Sequence, residues 1–211
     1  MLHRNWLIRA RHIVVAAFVI CVLLSPTRKS VAEQPVGSVE QLIGVVSLER
    51  DGQRQRLTAG DSIVVSDTIV TGDGAKVHIA FKDGSSVVAG PDTRFAVSEY
   101  HTGADRRGLL TLVTGIIRTG VSALWGSGFA VETHAAVASV RSTHWVTIAN
   151  TERASVFVVN GSVTVEATAT GDAVILEKGD GIDVPVDGGL GPIKQWPMER
   201  VGRTLGPTLL P

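Results

Sequence analysis

Between Gly37 and Val184 the chain carries one proline, Pro91, and no run of a dozen residues with a helical period. A strand ladder excludes proline because proline has no amide hydrogen to donate. A long proline-poor stretch without helical periodicity therefore points to β structure. The short runs inside it agree. In Ala75–Phe81 the residues Val77, Ile79 and Phe81 fall on one face, and in Thr93–Ser98 Phe95 and Val97 do. Gly128–Thr133 offers Phe129 and Val131, and Thr143–Ala149 sets Val146 and Ile148 against Trp145 and Thr147. Ser155–Val159 and Ser162–Ala167 flank Asn160-Gly161. A period of two is the mark of half-buried strands. Asn-Gly between two such runs predicts a type I′ hairpin, and Asp51-Gly52 and Asp83-Gly84 have similar turn character. The expected fold class is all-β, a rolled or sandwich-like stack of short strands.

A weak internal repeat accompanies the alternation. Gly44-Val45-Val46-Ser47-Leu48 precedes Leu57-Thr58-Ala59-Gly60-Asp61-Ser62-Ile63. Gly161-Ser162-Val163-Thr164-Val165 precedes Leu176-Glu177-Lys178-Gly179-Asp180-Gly181-Ile182 in the same way. Each unit reads as strand, return and strand, with Gly-Asp at the turn; a poorer third copy starts at Gly115-Ile116-Ile117. Stacked units of this kind bury one another's apolar faces. His101–Gly108 is polar and aperiodic, and reads as a surface loop.

The N-terminus differs in kind. Basic residues Arg4, Arg9 and Arg11 precede an apolar run from Ile13 to Ser25, and Ser30-Val31-Ala32 supplies small side chains for a cleavage site. This order predicts a secretory signal over 1–32, cut after Ala32. The alternative is an uncleaved membrane anchor, although the run is shorter than the roughly 20 residues that span a bilayer comfortably. The expected location is the periplasm or cell envelope. Residues 33–41 read as a linker, 42–186 as the β domain and 187–211 as a Gly/Pro-rich tail. That tail is either disordered or a strap anchored by Trp196 and Met198.

Charge and cysteine content exclude several classes. Of 20 basic and 20 acidic residues, five basic and no acidic ones lie before the expected cut, leaving 15 basic against 20 acidic. An acidic balance without a basic run speaks against nucleic acid, whose affinity comes largely from phosphate neutralisation. Membrane contact is expected only if the N-terminal segment stays uncleaved. The one cysteine, Cys21, lies in the leader, so the domain has no disulfide or thiol chemistry.

Catalytic patterns are missing. His78, His101, His134 and His144 form none of the close ligand pairs of a zinc site. Gly126-Ser127-Gly128 is not a nucleophile elbow. Asp61, Asp73, Asp83, Asp180 and Asp183 mostly adjoin glycine, where aspartate caps its own turn. Neither phosphate-binding fingerprint occurs. No catalytic residue, cofactor or metal is expected.

The residues with interaction potential are Trp125, Trp145, Trp196, Tyr100 and Arg141. If Val146 and Ile148 face the core, Trp145 faces outward, and exposed aromatics on a β surface suit protein or sugar contact. The alternative is that a second sheet or the tail covers it. Arg141, in Ala138-Ser139-Val140-Arg141-Ser142-Thr143, is either an ion-pair organiser or a surface contact.

Three stretches stand out together: Leu57–Ile63 leading through Asp67-Thr68-Ile69-Val70-Thr71 to Gly72, then Ala75–Phe81 with Lys82-Asp83-Gly84-Ser85 and Gly90-Pro91-Asp92-Thr93, and finally Phe129–Thr133 with Ala138–Trp145. They resemble the FecR domain family, the periplasmic module of iron-uptake signalling regulators. The family pattern has Val-Arg-Gly-Thr at the last site, where this chain has Ser142 for the glycine. The resemblance spans about 40–186 and implies a β-rich extracytoplasmic domain without catalytic residues. Only 12 residues precede the apolar run, so the cytoplasmic anti-sigma segment of the signalling regulators is not expected. The reading is a non-catalytic envelope interaction module whose partner is another envelope protein or a polysaccharide. Its alternatives are a carbohydrate-binding domain or an accessory component of signalling across the envelope.

Overall fold

The computed structural model describes residues 33–103, 106–123, 128–140 and 143–210. In chain order the strands are β1 (Gly37–Ile43), β2 (Val46–Arg50), β3 (Gln53–Arg56), β4 (Ser62–Ile63), β5 (Thr68–Thr71) and β6 (Lys76–Phe81). Then follow β7 (Ser86–Ala89), β8 (Arg94–His101), β9 (Arg107–Gly120), β10 (Phe129–Glu132), β11 (Ala136–Val140) and β12 (His144–Ala149). The last are β13 (Arg153–Asn160), β14 (Ser162–Ala167), β15 (Ala173–Glu177), β16 (Asp180–Pro185) and β17 (Lys194–Gln195), before helix α1 (Met198–Leu205) and a 3-10 turn at Gly206–Thr208.

The strands form two sheets that share β9. Sheet A runs β4, β1, β6, β7, β9, β12, β13, β16, β17. Sheet B runs β3, β2, β5, β8, β9, β10, β11, β14, β15. All pairings are antiparallel except β9 with β10. The fold is thus all-β and sandwich-like. Alternation supplies its core: Leu48, Ile69, Phe95, Leu110, Phe129, Trp145, Val165 and Leu176 are among the residues buried between the sheets. Each fully buried side chain of this size contributes about 1.5–3 kcal/mol relative to its exposed state.

The chain repeatedly turns a corner from one sheet to the other, and glycine makes the sharpest corner. β9 passes from sheet B to sheet A at Gly115, whose φ is +96°. A Cβ there would lie 2.5 Å from Thr93 Cα. Thr93 Oγ1 accepts the Ile116 amide at 3.0 Å and fastens the bend.

Asn160-Gly161 is a corner of this kind and not the expected hairpin. β13 pairs within sheet A and β14 within sheet B. Gly161 has positive φ but Asn160 does not, whereas a type I′ turn needs both. Asp51-Gly52 meets that condition, with φ of 51° and 75°, and joins β2 to β3. The 82–84 loop joins β6 to β7, with only Gly84 at positive φ.

The repeat holds in detail for two copies. Gly60 and Gly179 have φ of 90° and 89°. Their amides donate to Val39 O at 2.8 Å and Val158 O at 2.9 Å. Asp61 then accepts the amide of Thr58 at 2.7 Å, and Asp180 that of Glu177 at 3.0 Å. Gly115 has no such turn; it bends a single long strand.

Both ends of the domain extend beyond the alternating region. Segment 33–41, expected as a linker, supplies most of β1, and Val36 and Val39 join the core. Residues 187–210 form a strap. β17 pairs with β16, and the chain then crosses the outer face of sheet A. Pro207 lies over Gly90, and Lys76 Nζ donates to Gly206 O at 3.3 Å and Leu209 O at 2.7 Å. The leader, with the choice between cleaved signal and anchor, lies outside the described residues. Among the described residues no helix is long and apolar enough to cross a membrane.

Candidate interaction surface

The strap creates a second, smaller apolar layer outside the sandwich. Register places Val88, Arg118, Val146 and Phe157 side by side on the outer face of sheet A. Val88, Val146 and Phe157 are buried, as is Ile116, yet none belongs to the inner core.

This layer decides between the two readings of Trp145: it does not face outward, and the second sheet covers it. The alternation in β12 is as read, but Val146 is buried beneath the outer covering and Trp145 faces the sandwich. Trp145 is 0% exposed. It meets the Phe129 ring edge-on, with centroids 6.3 Å apart and planes at 77°. Its Nε1–H donates to Thr147 Oγ1 at 3.0 Å. A burial signal on one face of a strand does not tell which of two covered faces it is.

Trp196 is buried too, on the outer side. It stacks on Phe157 at 5.0 Å and 18°, and only a glycine at 181 leaves room, since a Cβ there would lie 2.1 Å from Trp196 Nε1. The Arg200 guanidinium caps the opposite face of the ring at 3.5 Å from its centroid. Arg200 in turn grips Asp183 with two nitrogens, at 2.6 and 3.1 Å, and Ser155 Oγ donates to the same carboxylate at 2.6 Å. Burial pushes the Asp183 carboxyl up, but the bonds from Arg200 and Ser155 outweigh it and hold the group below its ordinary value. Met198, the other expected anchor, is 83% exposed.

Tyr100 closes the β6–β7 turn. Its ring stacks on Phe81 at 5.1 Å and 18°, and its hydroxyl donates to Asp83. Asp83 also accepts the Ser85 amide at 3.2 Å. Burial, with the bond to Asp83, raises the Tyr100 pKa. Tyr100 also lines an open hollow with Glu99, His101 and Arg107 at the tip of the β8–β9 hairpin. The structure therefore separates Trp145, Trp196 and Tyr100 into three places. Trp125 and Arg141 lie outside the described residues.

The remaining charges are mostly spent on structure. Asp67, fully buried, accepts from Arg50 Nε and Nη2 at 2.6 Å each and from the Val64 amide at 2.8 Å. Arg94 clasps Glu49 through both nitrogens, which lowers the glutamate's pKa. Among the described residues no three His, Cys, Asp or Glu side chains gather to hold a metal.

Among the described residues, no strap of this kind crosses the outer face of sheet B. Its central rows are Thr68 and Val70, Ala96 and Ser98, Leu109 and Thr111, Ala130, Val137 and Ser139, all half-buried by their neighbours alone. Small and β-branched side chains dominate these rows, and the Arg94–Glu49 ion pair and Glu132 stand among them on the same face. Exposed Arg54 and Arg56 on β3 border it on one side, and exposed Glu166 and Glu177 on β14 and β15 border it on the other. Sequence reasoning missed this face because aromatics drew attention to the strands of sheet A. The available signal was the run of small side chains between the large apolar ones of β5, β8 and β11.

Residues 67–164 match the family model described as FecR protein. Over that stretch the chain is similar to the FecR family. The match covers the strands from β5 to the start of β14, including the turn at Lys82–Ser85 and the covered Trp145. The fold is also similar to that of a proposed anti-sigma factor from Parabacteroides distasonis, seen in two crystal structures. That likeness has a TM-score of 0.53 at 21% identity, over 64% of this chain and 62% of that one. The chain therefore aligns with less than two-thirds of that protein's length, and the likeness is one of fold. No curated protein matches the chain in sequence.

Proposed function

We propose that this FecR-like domain is a non-catalytic interaction module of the cell envelope, and that it meets a partner protein with the outer face of sheet B. The observation that carries the reading is the asymmetry of the two faces. The outer face of sheet A is covered along β16, β13, β9 and β7 by Trp196, Pro207 and Lys76-bound carbonyls, whereas among the described residues the outer face of sheet B has no such strap. Half-buried Val70, Leu109 and Val137 with the Arg94–Glu49 pair and Glu132 among them suit a mixed apolar and polar protein surface, and the Arg54/Arg56 and Glu166/Glu177 borders set the orientation of docking. The leader read from the sequence supports an exported location.

Substitution on the two faces tests it. Thr111→Arg and Ala130→Arg place charge in the middle of sheet B's outer face, and Met198→Arg places it on the strap. Envelope partners retained by the wild-type chain are expected to be lost with the first two variants and kept with the third. Equal retention by all three contradicts the reading.

A role in signalling across the envelope is a more specific version, supported by the FecR match and by the fold shared with the proposed anti-sigma factor. A sugar-binding role has less support. Every Phe, Tyr and Trp among the described residues is under 9% exposed, so none of those rings is open to a pyranose. Tryptophan fluorescence of the domain is expected to be indifferent to cell-wall and exopolysaccharide fragments.

A further inference from the structure

We propose that two copies of the chain join through their β15 strands in an antiparallel, two-fold pairing centred on Ile175. An open sheet edge invites another strand unless it is short, charged or covered. Sheet A ends in two-residue strands, β4 and β17. Sheet B ends in β3, Gln53-Arg54-Gln55-Arg56, where self-pairing would set arginines against arginines. Its other end is β15, Ala173-Val174-Ile175-Leu176-Glu177, five residues with no charge before the last. Ile175 stands 61% exposed at its centre.

The backbone of β15 is set for a partner. The Ala167 amide donates to Asp172 O at 2.9 Å, which fixes the phase of the β14–β15 ladder. Alternation then turns the amides and carbonyls of Val174 and Leu176 toward β14 and those of Ala173 and Ile175 toward the open edge. The Glu177 amide is already taken by Asp180 Oδ2 at 3.0 Å.

A two-fold axis at Ile175 puts Ile175 against its own copy, Val174 opposite Leu176 and Ala173 opposite Glu177. The parity is right: inward side chains meet inward ones and outward ones meet outward ones. The same register brings Asp172 opposite Lys178 at both ends, so the edge is complementary to itself in charge. Glu166 and the Glu177 of the second copy share a face with one strand between them, about 10 Å apart, a distance over which salt screens exposed charges. The contact is shorter than a standard interface, so pairing depends on concentration. It does not rest on the proposed use of the sheet B face, which it would extend from one copy into the next.

Sedimentation equilibrium and cross-linking of the full chain test this. The wild type is expected to show a reversible monomer–dimer equilibrium. Asp172→Lys and Lys178→Asp should each weaken dimerisation about tenfold by opposing like charges twice, and the double swap should restore it. In a Cys21→Ser background, Ile175→Cys should oxidise to a disulfide-linked dimer, because directly opposed residues have Cα atoms about 5.5 Å apart. Glu166→Cys should not. A chain that is monomeric at its highest soluble concentration and forms no Ile175→Cys cross-link overturns the proposal. So does a dimer indifferent to the charge swaps, or equal cross-linking at both cysteine positions.

Discussion

Trp196 lies flat on Phe157, ring centroids 5.0 Å apart and planes inclined by 18°, on the face of sheet A turned away from the core. Through this contact the C-terminal strap becomes part of the fold. The strap's helix adds one other tie, Arg200 to Asp183; its only buried residue is Thr204, and no side chain caps its start. Trp196→Ala is therefore expected to destabilise the chain by about 2–4 kcal/mol, near the lower end for losing a buried aromatic. It should also open 187–210 to protease before the rest. Urea unfolding and limited proteolysis check this; a strap as resistant as in the wild type would contradict the assignment.

Asp183 gives the strap a pH dependence with a definite sign. Its folded pKa is depressed, so its contribution is present above the unfolded value, about 3.9, and is lost as pH falls through the folded value. Asp183→Asn should lower the urea midpoint at pH 7, and the gap to wild type should close below about pH 4. A gap that stays constant down to about pH 2 would mean that Asp183 contributes no ionised bond.

Thr119 carries a cost. It is fully buried next to Trp145 in the ladder, and its Oγ1 finds no hydrogen-bond partner among the described residues. Thr119→Val keeps the branched shape and removes the hydroxyl, so it is expected to stabilise the domain by about 1 kcal/mol. Thermal or urea unfolding reads the sign directly, and a loss of stability would show that the hydroxyl is used.

Much of the fold was legible because strands advertise themselves by alternation. Val77, Ile79 and Phe81, or Phe129 and Val131, lie where the period of two puts them. What alternation does not carry is the number of covered faces. Trp145 and Val146 are both fully buried on opposite sides of one strand, because a tail far along the chain returns to cover the second side. Nor does Asn-Gly distinguish a hairpin from a corner: Gly161 needs positive φ in either case, and the choice depends on which strands pair. The Gly-Asp turns at 60–61 and 179–180 were legible as a repeat because the same local bonds demand the same residues. The sheet B face was not, since half-buried threonine, alanine and serine resemble any solvated strand until the two sheets are assembled.

Site-specific photocross-linking in intact cells distinguishes a partner on the outer face of sheet B from one on the strap. A photoreactive residue at Ala130 or Thr111 samples the outer face of sheet B, and one at Met198 samples the strap over sheet A. A discrete cross-linked envelope protein is expected from Ala130 and Thr111 and none from Met198. Cross-links confined to Met198, or none from sheet B, would contradict the proposed use of the sheet B face.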